Sequence, residues 1–272
     1  MTSASAQLTC RARFAVGLGA ILLSLPACGG GVPLLHPAHA LPAGQTAFAA
    51  GVSDRIALGD EHTALDSALN RLPGAPASDE RYQRGVLVAL AEGPAVAPFA
   101  AGRVGIPGSN EAGISYSGQA VRGDARHAFE WDQMALSAGL GFTARGFGQS
   151  ALDLPEADLS HAHGYGVDLP LLYGFRTDAD LISVWAGLRG SIDHWSGTVA
   201  LDAAQPFELR ATRLGLGPVV GLTVGLPPFW VAAELEVDYA HVTGSLDRPG
   251  EGYDTSLDGL SVRPAGALVA KF

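Results

Sequence analysis

The chain has 272 residues, of which only 16% are charged and 36 are glycine, against a usual charged share of about 25%. That is too little charge to coat a soluble globule in the ordinary way, and 47% hydrophobic content is too much for disorder. A net charge of −10, with Lys271 the sole lysine beside sixteen arginines, excludes a basic nucleic-acid surface and leaves nucleic acid off the list of partners.

Residues 1–13 are polar and carry Arg11 and Arg13, and residues 14–25 (FAVGLGAILLSL) are apolar before Pro26, Ala27 and Cys28. A basic start, a short apolar stretch and small residues describe an export signal over 1–27, whereas a spanning helix needs about 20 apolar residues. Leu25-Pro26-Ala27-Cys28 resembles the lipobox of bacterial lipoproteins. The resemblance implies that Cys28 is lipidated through its sulfur and becomes the first residue of the mature chain. A rival cut follows Ala38-His39-Ala40. Cys10 leaves with the signal, so no mature disulfide can form. Residues 28–44, rich in Gly, Pro and Ala, read as a flexible tether with His36 and His39 solvated.

From residue 45 the chain reads as strands. In the first long connection, Ala64, Leu65, Ala68, Leu69 and Leu72 recur at helical spacing behind Asp60 as N-cap and ahead of Pro73, which predicts one short helix over the barrel mouth. Farther on the period is two. Met134, Leu136, Leu140 and Phe142 share one parity, as do Tyr165, Val167, Leu169, Leu171, Tyr173 and Phe175; Leu214, Leu216, Val220, Leu222 and Val224; and Phe229, Val231, Leu235, Val237 and Tyr239. Strands are predicted at 45–53, 84–92, 96–106, 112–129, 133–147, 163–176, 181–193, 207–225, 229–243 and 258–272. Their connections alternate: 54–83 long, Gly93-Pro94 short, 107–111 long, Trp131-Asp132 short, 148–162 long, 177–180 short, 194–206 long, Pro227-Pro228 short and 244–257 long. An even number of strands with loops on one side and turns on the other is the pattern of a transmembrane barrel. The fold class is all-β: an up-and-down antiparallel transmembrane β-barrel of about ten strands, occupying 45–272.

The polar parity decides which face is outside. It is mostly Gly, Ala, Ser and Thr with sparse charge, which suits a crowded lumen rather than a wetted exterior. The other parity ends in aromatics (Phe129, Trp131, Tyr173, Phe175, Phe229, Trp230, Tyr239), the makings of an interfacial belt, with His127 and His241 as amphipathic neighbours. Residues 214–233 lack charge but contain Pro227-Pro228, which breaks a helix and makes a hairpin. The alternating last strand ending at Phe272 resembles the terminal assembly signal of Gram-negative outer-membrane barrels. That resemblance implies insertion by the barrel-assembly machinery, outer-membrane lipid as surroundings, extracellular long loops and both termini in the periplasm.

Arg122, Asp124, Arg126, Arg213, Glu234, Glu236, Asp238 and Arg263 fall on the lumen parity and are expected to form a charge network, since Glu234, Glu236 and Asp238 on one strand repel unless paired. Arg145, Asp168, Arg176 and Arg189 share that side, and Leu172 and Trp185 also point in. Ten strands leave little room for a channel. No coherent catalytic set appears. Asp60-Glu61-His62 matches half of the omptin-protease pattern, but its other half, Asp178 and Asp180, falls at the opposite end, and Ser196 near His194 is only a neighbour. His161 and His163 with Asp153, Glu156 and Asp158 are the one weak cation candidate; neither a resident metal nor a cofactor is expected. The leading reading is a structural or surface-interaction barrel with a plugged, charged lumen, acting on no substrate and with its extracellular ligand open. Two alternatives stand beside it: a narrow channel or transporter for small solutes, and a soluble lipocalin-like barrel anchored in the periplasm.

Overall fold

A computed structural model describes residues 32–71, 79–93, 96–146, 154, 157–201 and 206–272. Its strands are β1 (Thr46–Ser53), β2 (Ile56–Leu58), β3 (Ala97–Ile106), β4 (Asn110–Ser117), β5 (Ala120–Trp131), β6 (Met134–Gly146), β7 (Asp158–Arg176), β8 (Ile182–Ala200), β9 (Phe207–Leu226), β10 (Phe229–Arg248) and β11 (Glu251–Lys271), with helices α1 (Asp60–Leu69) and α2 (Glu80–Glu92) between β2 and β3. All pairings are antiparallel, and β1 closes the ring on β11 from Ala47↔Lys271 to Ser53↔Ala265. β2 continues β1 along the same edge, pairing Leu58↔Leu260 and Ile56↔Val262. The eleven strands therefore fill ten wall positions.

The expected number is met through two differences of opposite sign. Residues 84–92 are helix α2, not a strand: Asp79 caps it by accepting from the Arg81 N–H, and Gly93 ends it in the left-handed region. Its residues Val86 to Ala91 are all buried, so the segment is apolar all round and carries neither period. Conversely 112–129 is two strands, β4 and β5, joined at Gly118-Gln119, where Gly118 takes φ 58°. Across that turn the outward parity flips from even (Ile114, Tyr116) to odd (Val121, Phe129), the mark of a two-residue hairpin loop. Two consequences follow: 107–109 is a turn at the short-turn end rather than a long loop, and Gly93 lies in the helical connection instead of a hairpin.

β7, β8, β10 and β11 also run past their predicted ends, so 158–162, 194–200 and most of 244–257 are strand rather than loop. On β10 the outward residues from Phe229 to Tyr239 are apolar, and ten residues of tilted strand make a band about 25 Å tall. Above it the faces exchange chemistry without exchanging parity. On β8, Leu188 and Ile192 face out and Arg189 and Asp193 face in; a turn higher, Ser196 and Thr198 lie outside while Trp195 and Val199 are buried inside. On β9 the same exchange separates Leu214 and Arg213 from Arg210 and Leu209. The upper inner face, with Phe207, Leu209, Val242, Leu246 and Leu257, packs against Leu65, Ala68, Val86, Leu87 and Leu90 of the helices as one apolar core. One tall sheet thus serves two solvents: apolar outward below, and apolar inward above. Among the described residues there are two helices where one was expected, and α1 begins behind Gly59 with no side-chain cap rather than behind Asp60. Trp230 departs from the expected belt as well; it is buried, and its indole N–H donates to the Asp180 carbonyl at 2.7 Å.

Candidate functional site

The lumen is occupied from its lower, short-turn end by the chain itself. Residues 32–41 run inside the barrel, with Val32, Leu34, Leu35, His36, Ala38 and His39 all buried. A single strap has no neighbouring strand to satisfy its backbone, so the wall must supply partners. Glu234 Oε1 and Oε2 accept from the N–H groups of Leu34 and Leu35, each at 2.8 Å. Ala40 N–H donates to Glu130 at 2.8 Å and Leu41 N–H to Glu111 at 2.9 Å. In the other polarity, Arg126 donates to the carbonyls of Pro37 and His39, and Arg189 to that of Val32 at 2.8 Å. This segment is a bound strap, not a free tether, and His36 and His39 are enclosed rather than solvated. The reason is chemical: a Gly/Pro/Ala composition says nothing about carboxylates waiting on a wall 70 to 200 residues away. Leu34 and Ala38 pack on Leu172 and Trp185, which do point inward.

Around the strap and above it, ionised side chains cross the lumen in alternating sign. Glu111 pairs with Arg103 and with Arg126 at 2.9 Å. Arg103 also meets Asp124, which meets Arg122 at 2.6 Å, and Arg122 grips both oxygens of Asp168 at 2.8 and 2.9 Å. Asp168 passes to Arg189 at 3.2 Å, Arg189 to Glu236 at 3.3 Å, and Glu236 to Arg263 at 3.2 Å. Arg263 and Arg213 converge on Asp238, with Arg55 3.6 Å away, while Asp193 takes Arg213 and, at 3.1 Å, Arg145. The eight residues expected in a lumen network thus all lie inside the barrel. Seven join this lattice, and Glu234 instead holds the strap. Arg55, Arg103, Glu111 and Asp193 were not expected in this network; the last three sit on the inward parity of β3, β4 and β8, whose register was not yet known, and Arg55 lies between β1 and β2. Gly141 shows how tightly the lattice fits, since a Cβ there would fall 2.3 Å from Asp168 Oδ2.

Between strap and wall a cavity of about 400 Å³ opens at the lower mouth, beside Asp132, Arg176 and Asp180. At this end Trp131 and Tyr173 lie with ring centres 6.2 Å apart, and His127 meets Phe129 edge to face. The upper rim gives a contact that the sequence reading had not drawn: His241 lies opposite Asp258 across β10 and β11, with Nδ1 2.8 Å from its carboxylate and Ser256 Oγ 3.5 Å from Nε2. At 3.5 Å the serine is at the limit of hydrogen bonding, and the group lies on an open exterior face. His161 and His163 are likewise on the exterior; Asp153, Glu156 and Cys28 lie outside the described residues, among which no group of three metal-ligating side chains occurs. Glu61 is buried in α1 and Phe272 is exposed, exchanging two backbone hydrogen bonds with Thr46.

No protein-family model and no curated protein sequence matches the chain. Solved structures similar to it include Neisserial surface protein A, at 13% identity and TM-score 0.36 over 84% of this chain and 99% of that one. Ail, the attachment invasion locus protein of Yersinia pestis, aligns at 12% identity and TM-score 0.32 over 85% and 100%. A major outer membrane protein from Thermus thermophilus aligns at 12% and 0.36 over 84% and 99%.

Proposed function

We propose that this chain is a bacterial outer-membrane barrel that conducts nothing freely and serves a structural or surface-interaction role, presenting its tall wall and helical cap outside the cell. The observation carrying this reading is the pairing of an apolar outer band with a lumen blocked at three levels: the strap below, the ion lattice at mid-height, and the α1–α2 core above. Leu140 and Leu169 are 55% and 61% exposed while Arg122 and Arg213 are 1% exposed, the reverse of what a water-soluble lipocalin-like barrel requires. In the proposed orientation the short turns and the C-terminal strand face the periplasm, outer-membrane lipid wets the band, and Phe272 is the handle for the barrel-assembly machinery.

Planar-bilayer recording on the purified, full-length mature barrel tests the closed lumen. The proposal expects no single-channel steps; steady steps in symmetric salt would favour the channel reading. Surface proteolysis of intact cells tests orientation, with cleavage expected only in connections at the tall end.

A further inference from the structure

The lower cavity has the makings of a ligand site. It is about 400 Å³, within the range of small-molecule pockets, and it is walled on one side by the strap, Leu35 included, and on the other by Phe99 and Val269. Polar atoms without a hydrogen-bond partner among the described residues line it. His36 Nε2 and Thr223 Oγ1 are buried without a hydrogen-bond partner, and the imidazole of His39, near the Gln133 backbone, makes no well-formed hydrogen bond through either nitrogen. Leaving such groups unmet is costly, so they favour whatever polar occupant reaches them.

The charges at the mouth say what kind of occupant. Arg103 is paired with Glu111 and Asp124, Arg126 with Glu111, and Lys271 with Asp180 at 2.6 Å. Arg176, the last residue of β7, and Asp132, in the turn between β5 and β6, line the same opening, yet neither has an ion-pair partner among the described residues, and they do not pair with each other. Asp178 beside them accepts from Gln133, at 2.9 Å. Unspent charges of both signs at the rim of a partly apolar cavity match a molecule bearing both signs on an apolar body.

We propose that this cavity binds a small zwitterion of the amino-acid or dipeptide class, its carboxylate on Arg176, its ammonium between Asp132 and Asp178, and its side chain against Phe99 and Leu35. The site is a property of the folded barrel and holds whichever way the barrel is oriented in a membrane. Isothermal titration of the purified, full-length mature barrel in detergent, with L-leucine and L-leucyl-L-leucine as probes, tests it. Isovalerate and isoamylamine, which carry one charge each, are the controls. The expected result is saturable binding of at least one zwitterion, at least tenfold tighter than either control. Arg176→Gln and Asp132→Asn should each weaken it at least tenfold with unfolding curves unchanged, while Arg210→Gln on the outer wall should have no effect. Absence of saturable heat from both zwitterions overturns the proposal. So does equal binding of a singly charged control, or binding indifferent to both mouth substitutions.

Discussion

Replacing Gly141 by alanine is a one-carbon test of the lumen lattice. A Cβ at that position falls 2.3 Å from Asp168 Oδ2 and 2.4 Å from an Arg122 terminal nitrogen, so the bidentate pair at 2.8 and 2.9 Å must open. Gly123, on the adjacent strand and facing out, has nothing within 4 Å of the same added carbon. In an unstrained strand the change from Gly to Ala stabilises by about 0.5–1 kcal/mol. Breaking a buried ion pair costs about 3–5 kcal/mol, because the partners remain charged and dry. Since Asp168 keeps Arg189 at 3.2 Å, the loss at Gly141→Ala should come to about 2–4 kcal/mol, against neutrality or a small gain at Gly123→Ala. Urea unfolding in phospholipid vesicles, followed by tryptophan emission, measures both. A difference between the variants below about 1 kcal/mol would refute the claim that this pair is closely packed and buried.

Three further outcomes are expected. Leu169→Arg, at mid-height of the outer band, should cost about 2–4 kcal/mol in the same assay, while Thr198→Arg above the band should cost about 1 kcal/mol or less; equal costs would place lipid elsewhere. Glu234→Ala removes both acceptors of the Leu34 and Leu35 amides, so a cysteine installed at Ala38 should react with an aqueous maleimide several times faster in that background, and an unchanged rate would mean the strap is held otherwise. The strap contacts also require residues 32–40 in the mature chain. An intact mass beginning at Leu41 would contradict them.

Much of the barrel was legible in the sequence because alternation, tight turns and breaker residues are local. The predicted strand ends at 163, 193, 243 and 258 fall at the height where the two faces exchange chemistry. A reader following the outward apolar parity stops there, since Thr243 and Ser245 no longer continue it, although the inward parity turns apolar at Val242 and Leu246. Helix α2 was illegible for a related reason: surrounded by the tall wall, Val86 to Ala91 need no polar face. The lattice could be anticipated from parity, but its partners could not, because Arg122 meets Asp168 only through register. The strap was hidden most thoroughly. Its fixation depends on Glu111, Glu130 and Glu234, carboxylates with no sequence relation to residues 32–41.

Spin labels placed singly from Phe229 to Asp247 along β10, in reconstituted vesicles, probe the exchange of faces most directly. Odd positions from 229 to 239 should collide freely with oxygen and little with an aqueous nickel chelate; from 243 upward the odd positions should switch to the aqueous probe. Even positions should be shielded from both throughout. Ready access of the aqueous probe to labels at Val231 and Leu235 would mean that water, not hydrocarbon, meets the bulky face.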